Sequence, residues 1–184
     1  MPADLPATPP SFEGEPPEAS PPSGRPDRTG TRKPAFQPSL KGRALRLLSN
    51  REHSRKELER KLAPHEETPG ELRKALDELQ AKGFISDERA AESVIHRRAS
   101  RLGMGRLKQE LQAKGLDAVL VSETMERLKG TELSRAREVW RRRFDGELPR
   151  DATERAKQSR FLAARGFGGE VIRKVLAGGA GEEE

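Results

Sequence analysis

Residues 160–176 read RFLAARGFGGEVIRKVL, and this stretch decides the fold that the sequence predicts. Its pattern is that of a helix, a turn that contains glycine, and a second short helix. Gly168 closes the turn, and aliphatic residues follow it four and eight places later, at Ile172 and Leu176. Because an α-helix completes a turn in about 3.6 residues, both side chains lie on one face of a two-turn helix.

The same spacing occurs twice upstream, each time after a small residue: Ser54, Leu58 and Leu62 form one copy, and Gly103, Leu107 and Leu111 form the other. The three copies are 49 and then 65 residues apart, so an insertion precedes the last one. A repeat of this size predicts helical units that bury their apolar faces against one another. Chance similarity among short amphipathic helices is the alternative.

The N-terminal segment differs in composition from the rest of the chain. Residues 1–38 hold 11 of the 14 prolines and, as large aliphatic or aromatic side chains, only Leu5, Phe12 and Phe36. Such a segment cannot bury enough surface to offset the entropy lost on ordering, so we predict a disordered proline-rich arm. Residues 179–184 are predicted to be an acidic disordered tail. Residues 39–178 then form the folded domain.

Within residues 39–178 nearly the whole sequence has helical periodicity, and no segment alternates as a strand would. The predicted fold class is all-α, with repeat units stacked into an elongated, curved body. Capping signals predict where several helices begin: Ser54 with Glu57, the stretch 68–71 with Pro69 as the first helical residue, and Asp151 with Glu154.

The predicted domain is basic. From residue 39 to Gly178 it has 32 Lys and Arg against 22 Asp and Glu, an excess of ten positive charges. Charge of this sign favours nucleic acid, nucleoprotein or an acidic protein surface as partner. It is concentrated in three clusters: Arg97, Arg98, Arg101, Arg106 and Lys108; Arg141, Arg142 and Arg143; and Arg155, Lys157, Arg160, Arg165, Arg173 and Lys174. These are either ordinary solvated faces or a binding surface. Three clusters in one basic domain favour binding, and the excess of Arg over Lys suits phosphate or carboxylate groups.

No catalytic or metal-binding pattern is found. His53, His65 and His96 lie far apart, and none has a second ligand at helical spacing. The chain has no cysteine, and its glycine-rich turns lack the Gly-Lys-Ser/Thr of a phosphate loop. We therefore expect no catalytic residue, no metal and no cofactor. No run approaches the roughly 20 apolar residues of a membrane span, and the N-terminus lacks an apolar signal core, so a cytoplasmic protein without membrane contact is expected.

Three stretches resemble the RecX family, which regulates the RecA recombinase: DERAAE at 87–92, RLKQEL at 106–111 and RFLAARGF at 160–167. The resemblance covers about residues 40–176. It implies tandem three-helix units without enzymatic activity, which bind RecA filaments and typically inhibit strand exchange and ATP hydrolysis. Ala90 and Ala164 depart from the family pattern, which usually has an aromatic residue and an arginine at these positions.

The resemblance gives the basic clusters a target. We expect a monomer whose partner is the RecA filament, with at most weak contact to the DNA backbone. The residues expected to face this partner are Arg97, Arg98, Arg101, Arg106, Lys108, Arg141, Arg142, Arg143, Arg160 and Arg165.

A DNA-binding transcription regulator is the alternative function. Residues 72–88 resemble the recognition-helix end of winged-helix proteins, and helices at 40–50 and 54–62 could form a helix-turn-helix. A wing would need a hairpin after this segment, however, where Asp87 is predicted to begin a helix.

Overall fold

The computed structural model describes residues 38–178, which form helices joined by short turns. Within this range the chain has nine α-helices: α1 (Leu40–Asn50), α2 (Arg55–Leu62), α3 (Glu71–Ala81), α4 (Asp87–Arg98), α5 (Met104–Ala113), α6 (Ala118–Lys129), α7 (Glu132–Phe144), α8 (Ala152–Ala164) and α9 (Gly169–Leu176). No strand occurs among residues 38–178, so the all-α prediction is confirmed. The hairpin wing that a winged-helix DNA-binding protein would need is therefore absent from these residues. The arm and the acidic tail lie outside the described residues, apart from Pro38.

The helices form three consecutive units, α1–α3, α4–α6 and α7–α9, and each unit has its own apolar core. Leu58 and Leu76 are fully buried in the first unit, and Leu107 and Leu111 in the second. The third unit is built around Leu162, with aromatic side chains packed beside it. Tandem three-helix repeats are therefore the observed architecture.

The three small residues that define the sequence repeat all cap helices. Ser54, Gly103 and Gly168 are the N-caps of α2, α5 and α9. The aliphatic residues four and eight places after each cap are buried in all three copies. In the first two units the capped helix is the second of three, whereas in the third unit it is the last. In the third unit α7 lies before the helix pair α8 and α9 that surrounds the cap. This position of α7 accounts for the longer second spacing.

Helix starts agree with the capping signals at two of the three predicted places. Oγ of Ser54 accepts a hydrogen bond from the Glu57 amide at 3.1 Å, and Oδ1 of Asp151 accepts one from the Glu154 amide at 2.7 Å. The third prediction is wrong, because Pro69 precedes the helix and α3 begins only at Glu71.

The start of α3 is set by residues on either side of the predicted cap. Gly70 has a left-handed backbone with φ of 88°, which ends the preceding turn. Oε1 of Glu66 accepts hydrogen bonds from the amides of Gly70 at 2.9 Å and Leu72 at 3.0 Å. A carboxylate at this end also interacts favourably with the helix dipole. Glu66 therefore takes the capping role that the sequence pattern assigned to Thr68.

The second and third units meet through glycine backbone. The amide of Gly103 donates to the carbonyl of Arg165, and that of Gly105 to the carbonyl of Gly166, both at 2.9 Å. A Cβ atom on Gly103 would lie 2.3 Å from the Phe167 nitrogen, and one on Gly166 would lie 2.4 Å from the Arg106 nitrogen. Side chains are therefore excluded at both positions, and the glycines allow close approach of two backbones.

Candidate functional site

A cleft between the second and third units brings together basic residues from all three predicted clusters. This arginine cleft has a volume of about 280 Å³. Its lining residues are Ser100, Arg101, Val139, Arg142, Arg143, Phe161 and Arg165. Arg101 follows the end of α4, Arg142 and Arg143 lie in the last turn of α7, and Arg165 is the C-cap of α8. None of the seven lining residues is acidic, so the positive charge of the cleft is not neutralised from within its walls.

Arg165 is held in a fixed position at one wall of the arginine cleft. Its guanidinium carbon lies 3.7 Å from the centroid of the Phe161 ring, which is a close cation–π contact. Nη1 of Arg165 also donates to the Phe161 carbonyl at 3.3 Å. Phe161 in turn meets Phe144 edge to face, with ring centroids 5.1 Å apart. The charge of Arg165 is thus presented by a side chain that has little rotamer freedom left to lose on binding.

The other arginines of the cleft are exposed and weakly engaged. Arg142 forms a 2.8 Å ion pair with Glu138, but both side chains are more than half exposed. Such a surface pair contributes only about 0–1 kcal/mol to stability, so a partner carboxylate or phosphate can replace Glu138. Arg143 lies 5.6 Å from the Phe144 ring, and Arg101 forms no ion pair with any described residue. These side chains can therefore reorient toward a ligand.

Arg135, which belongs to none of the predicted clusters, supports the loop that carries Arg101. Nη1 of Arg135 donates to the carbonyls of Ala99 at 3.0 Å and Leu102 at 2.8 Å, and burial lowers the pKa of its guanidinium. The side chain thus satisfies carbonyl groups at the end of α4 and ties this end to α7. Only the fold brings these groups together, because 33 residues or more separate them in sequence.

Arg97 and Arg98 lie at a different cleft, between the first and second units. This N-terminal cleft has a volume of about 270 Å³ and is lined by Arg51, Val94, Arg97, Arg98, Glu110 and Lys114. Nε of Arg98 lies 3.7 Å from Oε2 of Glu110, so one acidic group partly offsets the charge of this cleft. The structure therefore divides the first predicted cluster, with Arg97 and Arg98 at one joint and Arg101 at the other.

Four of the predicted contact residues line neither cleft. Arg106 packs its backbone and the base of its side chain against Gly166, and its Nη1 lies 3.5 Å from Oε1 of Gln109. Lys108, Arg141 and Arg160 are exposed on α5, α7 and α8. They add to the charge of the surface without converging on a common point.

A buried ionic group lies beside the N-terminal cleft, and the sequence pattern did not reveal it. The side chain of Glu57 is only 5% exposed and pairs with Arg51 at 2.8 Å and with Lys114 at 2.7 Å. Burial by itself would raise the pKa of Glu57, but the hydrogen bond and charge of Lys114 outweigh it and hold this pKa below its usual value. Glu57 therefore remains ionised and joins the first unit to the second.

His53 completes this group as a neutral imidazole. Its side chain is 2% exposed, and burial lowers its pKa below the ordinary value. Arg51 Nε donates to its Nε2 at 3.4 Å, whereas its Nδ1 lies 3.3 Å from Glu57 Oε2 without hydrogen-bonding geometry. No local sequence pattern indicates this arrangement, because Lys114 lies 57 residues from Glu57.

Residues 38–178 contain neither a membrane-spanning helix nor a metal-binding cluster. No helix there is long and apolar enough to cross a bilayer, and no cluster of His, Asp or Glu in that range could hold a metal ion.

Comparisons with known proteins match the three units one by one. Family models described as the first, second and third three-helix domains of RecX match residues 41–79, 86–125 and 131–176. The regulatory protein RecX of Leptothrix cholodnii is 56% identical over 140 residues, which cover 76% of this chain and 88% of that protein. The regulatory protein RecX of Ralstonia nicotianae is 51% identical over 140 residues, with coverage of 76% and 87%.

Solved structures match the fold. The crystal structure of RecX from Lactobacillus salivarius superimposes with a TM-score of 0.62 at 21% identity, covering 75% of this chain and 92% of that one. At this level of identity the likeness concerns the arrangement of helices alone. The matched ranges 41–79, 86–125 and 131–176 correspond to α1–α3, α4–α6 and α7–α9, with the second and third starting one residue before the first helix of the unit.

Proposed function

The chain belongs to the RecX family, and from this premise we propose that it regulates the RecA recombinase by binding the RecA filament formed on DNA. The observation that carries the proposal is the arginine cleft, where Arg101, Arg142, Arg143 and Arg165 converge without an acidic neighbour in the lining. A filament of protein and DNA presents both carboxylates and phosphates, which are the groups that arginine forks bind best.

Regulation would act through binding, without a chemical step catalysed by this chain. Basic clefts lie at both joints between units, so the protein can contact its partner at more than one point. Several weak contacts that engage together raise the effective affinity well above that of each contact. A protein bound in this way to a filament of repeated subunits would restrain their conformational cycle or block subunit addition. Inhibition of ATP hydrolysis and of strand exchange is the expected outcome, in the cytoplasm where RecA acts.

A titration tests this function. Increasing amounts of the protein are added to RecA on single-stranded DNA with ATP, and ATP hydrolysis and filament sedimentation are followed together. We expect hydrolysis to fall as the protein approaches a stoichiometric ratio to RecA, with the protein found in the filament pellet. The absence of any effect, and of co-sedimentation, at that ratio would contradict the proposal.

A further inference from the structure

The arginine cleft combines positive charge with an apolar floor. Val139, which is 7% exposed, and the partly buried Phe161 line the cleft between the arginines. A ligand that only carries charge would leave this floor in contact with water. A ligand that places an apolar group against Val139 and Phe161 and acidic groups beside it would use both features.

One face of the Phe161 ring is already occupied. Arg165 lies over it at 3.7 Å, and the Arg165 guanidinium is further held by the Phe161 carbonyl. Single-stranded nucleic acid is usually bound by stacking of its bases on exposed aromatic faces. Phe161 is the one aromatic residue in the lining, so a base could stack on the covered face only by displacing Arg165.

The size of the cleft leads to the same conclusion. Its volume of about 280 Å³ lies just below the range of roughly 300–1,000 Å³ that is typical of pockets for drug-sized ligands. It can receive one or two protruding side chains of a protein more readily than a base with its sugar and phosphate. Its rim of guanidinium groups then matches carboxylates next to such side chains.

We propose that the arginine cleft receives an acidic segment of a RecA subunit, with an apolar side chain on Val139 and Phe161 and carboxylates on Arg101, Arg142 and Arg165. This inference rests on the proposed function, and it adds that the cleft recognises protein in the nucleoprotein filament and does not bind DNA phosphates.

The test compares two double charge reversals on exposed side chains. Arg101→Glu with Arg142→Glu changes the cleft and leaves the stacked Arg165 in place. Arg73→Glu with Lys74→Glu makes the same change in net charge on the exposed face of α3, away from the cleft lining. Far-ultraviolet circular dichroism establishes that both variants keep their helices. Binding of each protein is measured to RecA without DNA, to RecA on oligothymidine, and to fluorescein-labelled oligothymidine alone.

We expect the cleft variant to bind RecA, with or without DNA, about tenfold more weakly than the wild type, because repulsion replaces paired charges at the interface. The α3 variant should stay within about threefold of the wild type, since rim charges contribute little to affinity. Binding to oligothymidine alone should fall equally in both variants, as the general charge effect requires.

Different results contradict the inference in distinct ways. If the cleft variant binds RecA as tightly as the α3 variant does, the cleft does not contact the recombinase. If the cleft variant loses binding to oligothymidine but keeps wild-type binding to RecA, the cleft binds phosphates and not the recombinase. If the wild type bound RecA in neither form, the proposed function would itself be wrong, whatever the variants did.

Discussion

Single residues determine how neighbouring units are joined, and the two joints use different chemistry. Between the second and third units, Gly103 and Gly166 allow two backbone segments to come into contact, because no side chain fits at these positions. Between the first and second units, the ionised Glu57 is shared by Arg51 and Lys114 next to neutral His53. The contact between the second and third units therefore depends on side-chain volume. The contact between the first and second units depends on the protonation of Glu57 and His53.

Substitution of Gly103 by alanine should destabilise the protein through steric overlap alone. The backbone of Gly103, with φ of −81°, is accessible to any residue, but the added Cβ would lie 2.3–2.4 Å from backbone atoms of Phe167 and Gly166. Overpacking of this kind costs about 1–3 kcal/mol. Gly130→Ala is the matched control, because a Cβ there meets nothing within 4 Å and its effect should stay within about 0.5 kcal/mol. Urea unfolding measures both, and equal stabilities would contradict the close contact.

His53 should make stability depend on pH between about 7.5 and 5.5. Its folded pKa is lowered by burial, so the unfolded chain takes up a proton first as the pH falls through the ordinary value of 6.5. The free energy of unfolding therefore decreases on acidification, by at most about 1.36 kcal/mol per pH unit for one proton. The lowered pKa of Glu57 adds a second loss only below its ordinary value of 4.5.

The variant His53→Gln separates this contribution from those of the other histidines. His65 and His96 are present in both proteins, so their effects cancel in the comparison. Urea unfolding at a series of pH values should give a flatter profile for the variant than for the wild type. Identical slopes over pH 7.5–5.5 would show that His53 does not titrate differently on folding.

Individual helices were largely predictable, because their signals are local. The caps Ser54 and Asp151 and the apolar spacing after each repeat anchor act within one or two turns, where a sequence pattern specifies the geometry. The prediction for the start of α3 is wrong because two possible caps compete over residues 66–71. The pattern marks Thr68 and Pro69, but the left-handed Gly70 shifts the start and brings Glu66 within reach. A spacing rule cannot rank such competitors without the backbone conformation.

The start of α3 provides a direct comparison of the two candidate caps. Glu66→Ala removes the acceptor of two amide hydrogen bonds and should cost about 0.5–2 kcal/mol, as for other N-terminal caps. Thr68→Ala should change stability by no more than about 0.5 kcal/mol, because its side chain is exposed and makes no hydrogen bond with any described residue. Urea unfolding of both variants checks this order. If Thr68→Ala destabilised the protein more than Glu66→Ala, Thr68 would be the cap of α3.

The protein as a whole has contacts that local patterns cannot reveal. The repeat predicts tandem units with an insertion before the last one, but it does not say that Arg101 lies near Arg142 and Arg165. Sequence proximity groups Arg101 with Arg97 and Arg98, whereas packing of the units separates them into two clefts. Charge density along the sequence therefore indicates the candidate residues. Only the fold shows which of them line the same cleft.

Charge reversal of Arg97 and Arg98, the last residues of α4, together with Arg101 just after it, tests whether the basic surface of these helical repeats regulates RecA. The first variant carries Arg97→Glu, Arg98→Glu and Arg101→Glu, which alter both clefts. The control carries Arg73→Glu, Lys74→Glu and Lys82→Glu, which make the same change in net charge at exposed positions of the first unit. The measurement is the concentration of each protein that halves ATP hydrolysis by RecA on single-stranded DNA, with helical content checked by circular dichroism. We predict that the first variant needs about tenfold more protein than the wild type, and the control less than about threefold. Unchanged inhibition by a folded Arg97, Arg98 and Arg101 variant would contradict the account.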